Sequence, residues 1–332
     1  GPPMTAFKSF LETNGRGLMV AVLIAVSAQF LSEHYGGPAM LFALLIGMAL
    51  NFLAQEPATR DGIVFAGRTL LRIGVALLGL RIAFADIAHL GLVSVISVIA
   101  LIGLTILAGV AMARLSGRTW HYGALTGGAV SNCGASAALA ISAIMTKGKI
   151  SEQDTLVTVV GVTILSTLAM IFYPVLFGAA GLTDTQSGMM IGATIHDVAQ
   201  VVGAGYSISD HAGEVGTVVK LLRVAMLPVV LIVLTMAMRD EAKGAPIRLP
   251  WFLVVFIVLM LLANFLAIPE ALVNFVNGVS RWLLLIAVSA LGVRTSLGEL
   301  RTVGGANMAV IVGETLALLA MALVWMLLVR PQ

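Results

Sequence analysis

The sequence predicts an all-α polytopic membrane protein, and three observations predict it. Of the 332 residues, 59% are hydrophobic and only 11% are charged, whereas soluble domains carry about a quarter charged residues. Mean hydropathy is +1.05. Long apolar runs recur along the whole chain, each near the roughly 20 residues that a helix needs to cross the hydrocarbon core. The net charge of +3 is small and implies no nucleic-acid partner. A single cysteine excludes an internal disulfide and a cysteine-rich metal site. No cofactor is expected, since no nucleotide or cofactor motif stands in the chain. The expected partners are the lipid bilayer and a small substrate, and the apolar faces also suit a homodimer.

Residues 1–3 read as the remnant of a cleaved tag, with Met4 as the natural start. No cleavable leader is expected, because "TAFKSFLETNGRG" leads straight into an apolar run. Eleven runs follow, at about 17–33, 38–54, 63–82, 90–114, 119–146, 154–178, 186–208, 215–238, 249–267, 271–294 and 303–329. The connections are short, and "MRDEAKGAPIRLP" (238–250) reads as a linker between two groups of helices. With the N-terminus inside, the inner side collects Lys8, Arg16, Arg60, Arg114, Arg118, Arg239, Lys243, Arg248 and Arg301. The outer side holds Arg81, Lys147, Lys149 and Arg330. That bias predicts a bacterial-type inner-membrane protein with a cytoplasmic N-terminus and, for an odd helix count, an external C-terminus.

The runs repeat internally. "IGMALNFLAQ" (46–55) aligns with "IGATIHDVAQ" (191–200), "LLRIG" (70–74) with "LLRVA" (221–225), and "AVSNCG" (129–134) with "AVSALG" (287–292). The matches are in order and five runs apart. An odd offset inverts the second copy in the membrane, the plan of many secondary transporters. The expected organisation is an N-terminal region with one extra helix (4–37), a first five-helix repeat (38–180) and a second, inverted repeat (181–330).

One stretch resists being an ordinary spanning helix. "GGAVSNCGAS" (127–136) holds three glycines, an asparagine and two serines. Glycine costs about 1 kcal/mol in a helix interior, and Ser and Asn compete for backbone hydrogen bonds. Freed backbone groups in lipid cost several kcal/mol each unless protein or water satisfies them. A broken helix is therefore expected here, facing the protein interior. Its repeat mate is "AVSALGVRTS" (287–296). Two breaks related by inversion would meet near the midplane and present N–H groups around Gly134–Ser136 and Gly292–Arg294. Such helix starts carry partial positive charge and suit an anion. Gly128, Ser131, Asn132, Cys133, Gly134, Ser136, Ser289, Gly292 and Arg294 are thus the candidate binding residues. Against this stands close packing, for which small residues alone suffice.

The motif "TGGAVSNCGASAALA" (126–140), followed one helix later by "GATIHDVAQVVGAG" (192–205), resembles the YeiH-type sulfate exporters over nearly the whole chain. "GGxxSN" within 127–132 also resembles the broken fourth helix of bile acid/sodium symporters, and "LGLRIAFADI" (78–87) is similar to another of their segments. The resemblance implies a core domain with two crossed broken helices, a panel domain, and a sulfate-like substrate. The chain departs from the pattern in two places. Asn132 and Cys133 stand where proton antiporters of that superfamily carry an aspartate pair, which argues against sodium/proton exchange. The first helix is extra to the ten-helix plan.

Ionisable groups at membrane depth are expensive and are functional candidates by default. His196 and Asp197 replace Asn51 and Phe52 of the other repeat, and histidine titrates near neutral pH, so the pair is a candidate carrier of a coupling proton. Gln200, one turn on, would share that face and join the binding set with His196. Glu314 is a lone acid in an apolar run and either pairs with an arginine or relays protons. Arg294 either grips an oxyanion bidentately or lies in a loop. Arg72 and Arg223 are repeat-related and read as structural ties of a bundle helix to carbonyls or a carboxylate. Arg68 reads as snorkelling to the inner surface. No helical spacing supports a metal site.

Together these features predict a non-enzymatic secondary transporter of a small anion, plausibly sulfate or a sulfonate, coupled to protons through His196, Asp197 or Glu314 and working by alternating access. The alternatives are a sodium- or proton-coupled organic-acid carrier, an intramembrane enzyme using Cys133 and His196, and a passive channel.

Overall fold

In the computed structural model the described residues are 2–36, 39–81, 84–145, 148–238, 251–294, 296 and 305–330, and they are helical throughout their length apart from short turns and extended breaks. Every one of the eleven apolar runs carries helix. Among the described residues, six helices are long and apolar enough to cross a membrane. Most of the linker 238–250 lies outside the described residues, as do Lys147, Arg239, Lys243, Arg248 and Arg301 of the charge-bias argument.

The helices are α1 (Pro2–Tyr35), α2 (Ala39–Ala49), α3 (Pro57–Phe65), α4 (Leu71–Leu77), α5 (Phe84–Leu115), α6 (Trp120–Ser131), α7 (Ala135–Ile144), α8 (Glu152–Ala179), α9 (Asp184–Thr194), α10 (Val198–Ile208), α11 (Asp210–Ala225), α12 (Leu227–Ala237), α13 (Trp251–Phe265), α14 (Glu270–Arg294) and α15 (Gly305–Val329). A π turn at Ala66–Leu70 joins α3 to α4. The chain divides into two compact units, residues 1–84 with 251–296, and residues 85–250 with 297–332.

The first unit is held by glycines that let backbones touch. A Cβ on Gly62 would lie 2.1 Å from the Asn14 carbonyl oxygen, and one on Gly17 2.1 Å from that of Thr59, so α1 and α3 meet with no side chain between them. Gly47 of α2 is equally flush against Ser289 and Gly292 of α14. Asn51 then donates to the Val293 carbonyl at 2.7 Å.

These contacts correct one expectation. The segment 287–294 is not broken: α14 runs through it as helix, and residue 295 lies outside the described set. Ser289 returns its hydroxyl to the Leu285 carbonyl at 2.8 Å, inside its own helix. Gly292 serves the close approach of α2. Small residues here mean packing, as they commonly do between membrane helices. Arg294 lies beside Gly67, where a Cβ would stand 3.5 Å from its Nη1. Arg72 and Arg68 are exposed, which suits snorkelling for Arg68, and among the described residues Arg72 has neither the carbonyl nor the carboxylate tie expected of it.

In the second unit, α6 with α7 and α9 with α10 are two broken helices. Each half is 10 to 12 residues long, about 15–18 Å at 1.5 Å per residue. Two halves are needed to match a hydrocarbon core of roughly 30 Å, which is why neither half counts as a span by itself. The starts of α6, α8 and α15 are clamped by Arg118, which donates to Asp154 and to Asn307 Oδ1, both at 2.7 Å, and covers the Tyr122 ring at 4.1 Å. Ser151 and Asp154 form a capping box at the start of α8.

Burial alone would raise the Asp154 carboxyl. Hydrogen bonds from the Arg118 guanidinium and the Ser151 backbone, with the Arg118 charge, outweigh it and hold the group below its ordinary value. A depressed carboxyl adds stability above its unfolded value and loses it as pH falls through the folded one. Asp154→Asn should therefore lower stability at neutral pH by about 1 kcal/mol. Its melting temperature should converge with that of the wild type on acidification below the carboxylate range. Gly62→Val should cost about 1–3 kcal/mol by forcing α1 from α3, read as a lower melting temperature in detergent.

Candidate functional site

Two interruptions define the site. The first is Asn132–Gly134, between α6 and α7. Gly134 sits at φ 63, ψ −122, a conformation costing any residue with a side chain about 1–3 kcal/mol. The second is Ile195–Asp197, between α9 and α10, with Ile195 and Asp197 extended. The interruptions meet: a Cβ on Gly134 would stand 3.5 Å from Asp197 Cγ and from the His196 carbonyl oxygen. The crossing partner of "GGAVSNCGAS" is thus "IGATIHDVAQ", not "AVSALGVRTS". Ser289, Gly292 and Arg294 belong to the first unit, and these breaks belong to the second. The segment matched to 191–200 does end a helix at the matched place, since α2 stops at Ala49 and α9 at Thr194.

A helix that stops inside a membrane leaves carbonyls without partners. Two cations on α11 collect them. Arg223 donates from Nε to the Ser131 oxygen (2.7 Å), from Nη1 to Gly192 and Ile195 (both 2.8 Å), and from Nη2 to Val130 (2.8 Å). Lys220 Nζ donates to the carbonyls of Asn132, Ile195 and His196, that of Ile195 at 3.1 Å. Both side chains are fully buried. Glycines bring α11 close enough for this: a Cβ on Gly192 would lie 2.5 Å from the Gly216 carbonyl oxygen, and one on Gly188 2.7 Å from that of Ala212.

Arg223 thus ties helices to carbonyls, the role its position suggested. Sequence reasoning passed over Lys220 altogether. The signal was present: "GTVVKLLRVA" places two cations three residues apart inside an apolar run, and each is a functional candidate on cost alone.

The polar residues around the crossing are ordered by further bonds. Asn132 donates from Nδ2 to the Gly128 carbonyl (3.0 Å) and the Ser131 hydroxyl (3.2 Å), while its Oδ1 has no hydrogen-bond partner among the described residues. Gln200 donates to Thr167 Oγ1 at 3.4 Å, and its Oε1 is likewise unpartnered. The Asp197 backbone N–H donates to Ser166 Oγ at 3.0 Å. Thr315 Oγ1 donates to the Ile311 carbonyl at 2.8 Å, so the 2.8 Å contact between His196 Nε2 and Thr315 Oγ1 has histidine as donor. Cys133 is a buried free thiol within the first break. Ser136 falls in the first turn of α7, and its side chain lies outside the described set.

Glu314 lies outside this centre but one residue from Thr315. Its carboxylate occupies a slot made by missing side chains: a Cβ on Gly109 would come within 2.5 Å of Oε2, and one on Gly127 within 2.9 Å. The Thr126 hydroxyl beside it is committed to the Tyr122 carbonyl at 3.0 Å. Glu314 is fully buried. It pairs with no arginine among the described residues, which removes one of the two readings made for it.

The chemistry of the centre is positive. The carbonyl ends of α6 and α9 are neutralised by two full charges, and Asp197 is the carboxylate whose field reaches Lys220. The starts of α7 and α10 point their partial positive ends at the same crossing. By helix geometry the N–H groups of 135–137 and 198–200 have no acceptor within their own helices.

Over residues 16–311 the chain matches the family model described as Conserved hypothetical protein 698. The UPF0324 membrane protein TauZ of Paracoccus pantotrophus is 48% identical over 322 residues, covering 95% of both chains. This chain is a member of the UPF0324 membrane protein family. A UPF0324 membrane protein of Chlorobaculum tepidum is 47% identical over 319 residues, covering 93% of this chain and 89% of its own. One of Rhizobium meliloti is 45% identical over 313 residues, covering 92% and 90%. No solved structure matches. The family's description as membrane proteins agrees with six apolar helices of spanning length.

Replacing Arg223 by methionine strands the carbonyls of Val130, Ser131 and Gly192, while that of Ile195 keeps Lys220, and should cost at least about 3 kcal/mol, read as lost melting temperature or lost folded yield. Arg223→Lys should recover only part, because one ammonium cannot reproduce the planar fork. Gly134→Ala should cost about 1–3 kcal/mol by the same measurement.

Proposed function

We propose that this UPF0324 protein is a secondary active transporter of a small anion, with sulfate or a sulfonate as the substrate class. The observation that carries the reading is the crossing of two broken helices around two buried cations with one nearby carboxylate. Lys220 has all three of its N–H donors occupied by carbonyls and Arg223 four of its five, so they act on a ligand chiefly by charge. Contact falls to the N–H groups at the starts of α7 and α10 and to Asn132 and Gln200. Transporter sites near the bilayer midplane are commonly built from such half-helix ends. The likeness of 126–140 and 192–205 to YeiH-type sulfate exporters supports the same substrate class and an inverted-repeat, alternating-access plan. The loop charges support a cytoplasmic N-terminus and an external C-terminus in a bacterial inner membrane.

We assign the coupling proton to Glu314 in preference to His196 or Asp197. A carboxylate there has no committed donor among the described residues to stabilise its charge, and Thr315 joins its helix to His196 at the crossing. An enzymatic role for Cys133 is disfavoured, since among the described residues the thiol is hydrogen-bonded by the Ala137 backbone and not by a base. A Cys133→Ser variant should transport at the wild-type rate.

The test is thermal stability of the purified protein against sulfate, sulfite, thiosulfate, taurine, isethionate and small carboxylates, with and without sodium. A ligand that binds the native state raises the melting temperature with occupancy. A sulfur oxyanion should stabilise without sodium, and Asn132→Ala should abolish the shift. Stabilisation by carboxylates only with sodium would replace this reading by that of an organic-acid symporter. In proteoliposomes Glu314→Gln should flatten the dependence of rate on pH; an unchanged pH response would remove the proton assignment.

A further inference from the structure

Unwound carbonyls at a helix crossing are the usual seat of a coupling sodium ion. Here three such carbonyls, from Asn132 on one break and from Ile195 and His196 on the other, converge on a single nitrogen, Lys220 Nζ. An ammonium has three protons, and all three are taken. The nitrogen is fully buried and reaches the crossing from a third helix, α11. Asp197, which follows His196, acts on this ammonium with an attractive field, against the larger repulsion of Arg223 beside it.

We propose that Lys220 is a built-in cation: its ammonium fills a three-carbonyl seat for a small monovalent ion, so that the two broken helices are joined without a bound metal ion. Charge and geometry both argue for this reading over a general stabilising role. Arg223 already satisfies the Ile195 carbonyl and three others, so among the described residues the carbonyls of Asn132 and His196 are the ones whose side-chain donor is Lys220 and not Arg223. They come from opposite breaks, and a methylene chain cannot join them. A positive point charge between them can. The seat therefore suits a monovalent cation, for which free ammonium is the nearest chemical stand-in once the side chain is removed.

The experiment compares wild type, Lys220→Ala and Lys220→Met by thermal unfolding in detergent, purified in chloride salts of N-methylglucamine, sodium, potassium or ammonium. Alanine vacates the seat and leaves space for an ion. Methionine fills much of the space and brings no charge. Wild type should melt at one temperature in all four salts. Lys220→Ala should melt several degrees lower in N-methylglucamine and recover with potassium or ammonium, in a saturable way. Lys220→Met should stay low in every salt. Stabilisation of the wild type by sodium over N-methylglucamine would overturn the proposal. So would a Lys220→Ala protein that no cation recovers, including one that cannot be purified folded in any of the four salts. Equal recovery of the methionine variant would overturn it too, by placing the ion elsewhere. The readout is stability in chloride alone, so it stands or falls apart from the identity of the transported anion.

Discussion

Breaking two helices in the interior of a membrane protein exposes backbone carbonyls where no water reaches them. Lys220 and Arg223 on α11 answer that constraint, and the rest of the second unit follows from the answer. Six carbonyls, of Val130, Ser131, Asn132, Gly192, Ile195 and His196, receive their seven bonds. Without them each orphaned group would cost several kcal/mol, and α6–α7 and α9–α10 would be driven to straighten. The cations are in turn desolvated, which is tolerable because every proton of Lys220 and most of those of Arg223 find an oxygen. Glycines on α9 and α11 are the other half of the arrangement, since a cation on a third helix reaches these carbonyls only where backbones touch.

The same interaction sets the electrical character of the crossing. Carbonyl ends of helices are negative and attract cations; once neutralised from within, they no longer do. What remains are the positive starts of α7 and α10 and an excess of formal positive charge. The two proposals, an anion as cargo and a built-in ammonium in the sodium-like seat, therefore have one electrostatic origin.

Glycine does three different jobs in this chain, and the sequence does not distinguish them. At Gly134 it permits a backbone conformation that ends a helix. At Gly17, Gly47, Gly62 and Gly292 it permits contact between intact helices. Gly109 and Gly127 show a third use, room for a buried carboxylate. "AVSNCG" and "AVSALG" therefore look alike and behave differently: in the second, Ser289 satisfies its own helix and nothing competes with the i→i−4 ladder. In the first, Asn132 turns its amide back to Gly128 and the chain leaves the helix.

The composition and the spacing of apolar runs by themselves determined the all-α membrane architecture, because burial in hydrocarbon leaves a helix as the only conformation that satisfies a single segment's backbone. They also located the first break, through its density of glycine, serine and asparagine, and marked His196, Asp197 and Glu314 as costly residues with a reason to be present. The partner of the first break was decided only by tertiary structure. Ile195–Asp197 carries no glycine and reads locally as continuous helix; it opens because Lys220 and Arg223, 24 to 31 residues away along the chain, stabilise the freed carbonyls. Long-range contacts of that kind leave no periodic trace in a sequence, since they depend on which helices pack together and not on the pattern within any one of them.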